Sequence, residues 1–236
     1  MKTSRHPAAG FTLIELLTVI AIIGILAAII IPVTGRVRAS ARQASGLAIM
    51  KNIGMAIYLH TADYKDMLPG PINQMQYVSM RWQDHQITYR LAQYIGSAGY
   101  PKGQLVPQIC PPGFDKQVAD ITETPAYIAT DNVDDGGGVN DHTQKPTRIK
   151  PFGNSTGAGE DAVPKKITRI VDPARKVALM DFDNELYRVS GKAGSVQAKH
   201  LDKPFYGSRR NVLYFDGHVR SVPATASYEW GRSDFP

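Results

Sequence analysis

From Phe11 to Val33 the sequence FTLIELLTVIAIIGILAAIIIPV runs for 23 residues with few polar positions, and from Leu16 to Val33 it carries no charge. At about 1.5 Å rise per residue, roughly 20 apolar helical residues cross the hydrocarbon core of a bilayer. The run therefore predicts a transmembrane helix; its many isoleucines suggest a strand, which its length excludes. An ordinary secretory signal places its small-residue cleavage site after the apolar region. Here a short basic stretch with Lys2 and Arg5 comes first, and Gly10 stands at the boundary. That order predicts an anchor that is kept. Val37, Ala41, Ala44, Ala48 and, less regularly, Ile53 and Ile57 continue an apolar helical face. Gly46 and Gly54 weaken that helix by ~1 kcal/mol each relative to Ala. Its predicted end lies between Asp63 and Asp66, before Pro69-Gly70.

Beyond about Leu68 the pattern is that of a water-soluble domain. Trp82 to Ile95 predicts a helix with Trp82, Leu91 and Ile95 buried, and Ile109-Cys110-Pro111-Pro112-Gly113 predicts a strand end and a turn. Residues 130–164, rich in Gly, Asn, Asp, Pro and Thr, predict a long exposed loop. Strands are expected at Lys176–Asp181, Asn211–Phe215 and His218–Val222, the last two joined by a two-residue turn at Asp216-Gly217. The expected class is α+β: a long N-terminal helix packed on a globular domain with an antiparallel sheet. The expected divisions are a leader at 1–10, a transmembrane helix at 11–33, a helical extension at 34–66 and a globular domain at 67–236.

Charge adds a second division. The net +6 is spread unevenly: residues 34–63 stand at +3, residues 64–163 at −3 and residues 164–236 at +5. The C-terminal third is a candidate basic surface for nucleic acid or an acidic polymer, against the plainer reading of a solvated mixed-charge face. Lys2 and Arg5 precede the apolar run while Arg36, Arg38 and Arg42 follow it, so charge counting alone would put the large domain in the cytoplasm. The one cysteine, Cys110, cannot form an intrachain disulfide and reads as a buried thiol.

Glu15 is the anomaly of the apolar run. A carboxylate within a membrane segment costs a few kcal/mol and marks a functional site by default. It lies one helical turn from Phe11, and cleavage after Gly10 would give Phe11 a free amine able to pair with it, in the same chain or in a neighbour. Ala21, Gly24 and Ala28 form a small-residue stripe of the kind that lets helices approach closely. Pro32 lacks an amide and clashes with the carbonyl of Ala28, which predicts a kink.

The segment Gly10-Phe11-Thr12-Leu13-Ile14-Glu15, the apolar stretch after it and Pro32 together resemble the cleavage and methylation motif of type IV pilins and type II secretion pseudopilins. The resemblance covers roughly residues 5–60. It implies cleavage between Gly10 and Phe11 by a prepilin peptidase, N-methylation of Phe11, and a role for Glu15 in subunit recognition. It further implies a single-pass protein of the bacterial inner membrane, its globular domain in the periplasm or in an extracellular filament. The implied partners are other pilin-like subunits, an inner-membrane assembly platform and membrane lipid. The C-terminal stretch NVLYFDGHV resembles a bacterial pilin-like signature whose histidine stands ten residues before the Asp-Gly pair; here that position holds Tyr206.

Other candidate chemistry is sparser. Thr130 to Gly136 has the carboxylate density of a calcium loop, with Asp131, Asp134 and Asp135 as candidate ligands, and some pseudopilins bind calcium in their C-terminal region. Against this, Val133 interrupts the alternation and His142 stands where a helical-hand loop would place Glu, which favours a solvated loop. Asp181, Asp183 and Glu185 alternate and could share one side of a strand end, and Asp216 and His218 flank a turn. The remaining histidines show no zinc spacing, Asn154-Ser155-Thr156 is a short glycosylation pattern, and no phosphate loop or nucleophile elbow occurs. The sequence therefore supports a structural filament subunit without cofactor. The alternatives are a minor-pilin binding module whose basic C-terminal domain captures DNA or acidic glycan, and an anchored hydrolase for which no site is identified.

Overall fold

The computed structural model describes residues 12–81, 85–139, 146–229 and 235, with the backbone alone at 135–139 and 146–147. The leader residues Met1–Gly10, and with them Phe11, Trp82 and His142, lie outside the described residues. The chain divides into two compact units, residues 1–41 and 42–236. Helix α1, Leu13–Asp63, is 51 residues long and passes through Pro32 without interruption. Among the described residues it is the helix long and apolar enough to cross a membrane.

In the first unit the large apolar side chains of α1 from Leu13 to Val37 are exposed. The second unit is built on a five-stranded antiparallel sheet in the order β1 (Met75–Gln76), β2 (Tyr127–Ala129), β5 (Val177–Asp181), β6 (Arg209–Tyr214), β7 (Val219–Pro223). A separate hairpin joins β3 (Val133–Val139) to β4 (Pro146–Ile149). The central strands are covered on both faces. Leu179 and Leu213 pack with Met50, Ile53 and Ile57 of α1, whereas Met180, Val212 and Tyr214 pack with Leu186 of α3 (Asn184–Val189), Val222 and Tyr228. Double coverage explains why β5 reads as a continuous apolar run.

Several local expectations are corrected. The helix expected over 82–95 is a single turn, α2 (Ile87–Arg90), followed by turns, with Leu91 buried and Ile95 half-buried. The strand end at Ile109 is a short 3₁₀ turn, Pro107–Ile109, which Pro107 starts because it has no amide to lose. The expected loop over 130–164 contains the β3–β4 hairpin, in which Val133 pairs with Ile149 and both are buried; three consecutive glycines hide such a strand from propensity. The helical face is also displaced. Ala44, Ala48 and Val37 are exposed, and the buried line of α1 is Gly46, Met50, Ile53, Gly54, Ile57 and Thr61.

Candidate functional site

Two places bring the singled-out residues into view: the start of α1 and the seam between the second half of α1 and the β6–β7 hairpin. At the start of α1, Thr12 donates its backbone N–H (2.8 Å) and its hydroxyl (2.7 Å) to Glu15 Oε2. The Glu15 N–H in turn reaches Thr12 Oγ1 at 3.3 Å. The Thr12 carbonyl accepts the first helical bond, from Leu16 at 3.2 Å. This is a reciprocal capping box: side chains satisfy amides that a helix start leaves without partners. The Thr-x-x-Glu spacing was the available signal for it, and the hydrophobicity of the run obscures it. Glu15 Oε1 takes no hydrogen bond from a described residue. Farther along, the Thr34 hydroxyl donates to the carbonyl of Ile30 at 2.8 Å, beside the break in the amide ladder that Pro32 creates.

The seam is held by three long-range bonds from α1. Gln43 Nε2 donates to Ser221 Oγ at 2.6 Å, Lys51 Nζ to the Gly217 carbonyl at 2.7 Å, and the Tyr58 hydroxyl to the Phe215 carbonyl at 2.7 Å. The turn that receives two of them is not the two-residue type. Leu213 pairs with Val219, Tyr214 N–H bonds the His218 carbonyl, and Gly217 N–H bonds the Tyr214 carbonyl. The loop is therefore Phe215-Asp216-Gly217, with Gly217 at φ +80°, the left-handed position such three-residue loops require. A Cβ on Gly217 would also come 2.7 Å from the Tyr58 ring. Asp216 Oδ1 accepts from the His218 N–H (3.0 Å) and pairs with His218 Nδ1 (2.6 Å), so both residues fix the turn.

Asp181, Asp183 and Glu185 do not form one site. Asp183 and Arg210 are an ion pair withdrawn from water, bidentate through Nε and Nη2 at 2.7 Å each. Asp183 also caps α3 by accepting from the Leu186 N–H at 3.0 Å, and Arg210 Nη1 bonds the Ala224 carbonyl at 2.5 Å. Glu185 lies on the helix surface with Arg188 at 3.1 Å. Asp181 accepts the Asn211 N–H at 2.6 Å in a fully enclosed position. Burial pushes its carboxyl up to about 8, against the Asn211 bond and Arg210 and with help from Asp183. Nearby, burial raises the Tyr206 phenol and lifts the Cys110 thiol to about 11, leaving both protonated and unreactive at neutral pH. Tyr206 lies against Gly46: a Cβ there would sit 1.8 Å from the phenol oxygen. The position that the resembled signature gives to histidine thus supports the docked helix.

Of the calcium candidates, Asp131 is paired with Lys150 at 3.0 Å, and Asp134 lies 3.6 Å from Lys176 and 3.9 Å from Arg148. The Asp135 side chain lies outside the described residues. Among the described residues, no three His, Cys, Asp or Glu side chains converge as a metal site would need. Neither the Asp183–Arg210 pair nor the Gly46 contact was read from the sequence; the partners are 27 and 160 positions apart.

Residues 5–31 match a family model described as the prokaryotic N-terminal methylation motif. That motif is the hallmark of type IV pilins and pseudopilins, and with the exposed apolar start of α1 it fits a membrane-anchored, pilin-like protein. No curated protein and no solved structure matches the chain.

Proposed function

We propose that the protein is a structural subunit of a pilus or secretion-pseudopilus filament, held in the bacterial inner membrane by α1 until it assembles. The observation that carries this reading is the methylation motif set at the start of a long apolar helix with its side chains exposed. In this reading a prepilin peptidase cuts after Gly10, Phe11 becomes the methylated N-terminus, and the domain faces the periplasm. Neighbouring pilin-like subunits and an assembly platform are then the partners. Pro32 gives α1 one weakened turn, which a helix packed among others can use to bend.

The capping box refines what Glu15 does. Oε2 serves its own helix through Thr12, which leaves Oε1 for the Phe11 amine of a neighbouring subunit. That division makes Glu15→Gln the informative substitution, because Gln can also close a capping box but carries no charge. Glu15→Gln should insert and be processed as the wild type is, yet fail to enter sheared filaments. Gly10→Val should leave the leader attached, visible in the intact mass. Normal filament yield from Glu15→Gln as the sole copy overturns the pairing assigned to Glu15, whereas absence of the wild type from sheared filaments, or a wild-type mass that includes the leader, overturns the filament reading.

A further inference from the structure

Between Glu15 and Asp63 the chain has no acidic residue, yet it carries Arg36, Arg38, Arg42 and Lys51. Exposed helices ordinarily interleave the two signs; here Arg38 and Arg42 stand at the i,i+4 spacing, where like charges repel. Arg36 and Arg38 are exposed, and no described residue gives either a hydrogen bond or an ion pair. Cations without an internal partner, on a stretch of helix without carboxylates, call for an external anion.

Helix geometry says what kind. Val33 is the last residue of the uncharged run, so at about 1.5 Å per residue Arg36 lies ~4.5 Å and Arg38 ~7.5 Å beyond it. The polar layer on each side of a bilayer is roughly 5–8 Å deep, so both side chains fall within it. Successive residues turn by about 100°, which places Arg36 and Arg38 roughly 200° apart around the axis. A single protein or nucleic-acid partner approaches from one side; before assembly, a lipid leaflet surrounds the helix. We infer that Arg36 and Arg38 form a two-sided belt that binds anionic phospholipid headgroups where α1 leaves the membrane. The inference rests on the membrane-anchored reading and adds to it a lipid preference. It also gives the arginines that oppose the usual charge rule a task on the domain's side of the membrane.

The test uses the full chain in nanodiscs of phosphatidylcholine and of an equimolar mixture with phosphatidylglycerol. The readout is the composition of lipid retained on the ejected protein by native mass spectrometry. The wild type should retain phosphatidylglycerol over phosphatidylcholine by about fivefold for each arginine, less at high salt. Arg36→Gln with Arg38→Gln should lose the preference while keeping its helix by circular dichroism, and the double lysine variant should keep it. Equal retention of the two lipids by the wild type, or a preference that survives in the glutamine variant, overturns the belt. So does duplex DNA binding that depends on the same arginines in the absence of any lipid preference. Failure to enter nanodiscs of either composition would instead overturn the membrane-anchored reading on which the belt depends.

Discussion

A carboxyl at the end of a central strand, shut away from water, keeps its proton well above the usual carboxylate range. Asp181 is in that position: its folded value of about 8 stands far above the ~3.9 of an unfolded aspartate. A group raised in this way binds protons more tightly when folded. Its contribution to stability is therefore complete below about pH 4, shrinks as pH rises through the interval, and is lost above pH 8. Asp181→Asn keeps an oxygen to accept the Asn211 N–H and has no proton to lose. Denaturant unfolding of the full chain in detergent should show the wild type losing stability relative to Asp181→Asn from pH 5 to pH 8.5. Parallel curves over that range would mean that Asp181 is ionised and hydrogen-bonded throughout. Glu15 shows the complementary lesson about legibility. Its oddity in an apolar run was plain, but its nearest partner, Thr12, was masked by the same hydrophobicity that marked the segment.

At the scale of elements, α1 docks through its glycines. Helix propensity marks Gly46 and Gly54 as weaknesses, and an isolated helix would gain ~1 kcal/mol from Ala at each. The fold reverses that expectation, because both lie on the buried line, and what each meets differs. At Gly46 the added Cβ would sit 1.8 Å from the Tyr206 oxygen and 2.9 Å from Asn211 Nδ2; at Gly54 the nearest atom is Leu213 Cδ1 at 2.8 Å. A leucine methyl can rotate away, whereas the enclosed phenol must carry its whole ring with it. Overpacking commonly costs 1–3 kcal/mol. Gly46→Ala should therefore destabilise by up to about 2 kcal/mol net, and Gly54→Ala by clearly less. Equal midpoints in urea for the two variants would contradict the docking geometry. The strands β5, β6 and β7 were legible because branched residues and Asp216-Gly217 mark them locally. The register of α1 on the sheet was not, since it depends on contacts across more than 150 residues and on glycines whose lack of a side chain is the recognition feature.

For the whole molecule, the two units imply that membrane residence and domain folding are separable. The side chains that attach α1 to the sheet and its β6–β7 turn begin at Gln43 and end at Tyr58; before Arg42 no α1 residue is buried. Removing residues 1–35 therefore removes exposed apolar surface and, among the described residues, no part of the core. A chain of residues 36–236 should be monomeric without detergent, retain helix by circular dichroism and unfold cooperatively in urea. Starting instead at residue 64 removes Met50, Ile53 and Ile57, each almost wholly buried. At about 1.5–3 kcal/mol per side chain, their loss amounts to ~5–9 kcal/mol. A domain of ordinary stability has only about 5–15 kcal/mol in all. The shorter chain should consequently be unfolded or molten, with no cooperative transition. A 36–236 chain that needs detergent to fold would show that the apolar segment supports the domain. A cooperative 64–236 chain would show that the sheet closes its own core and that α1 only rests on it.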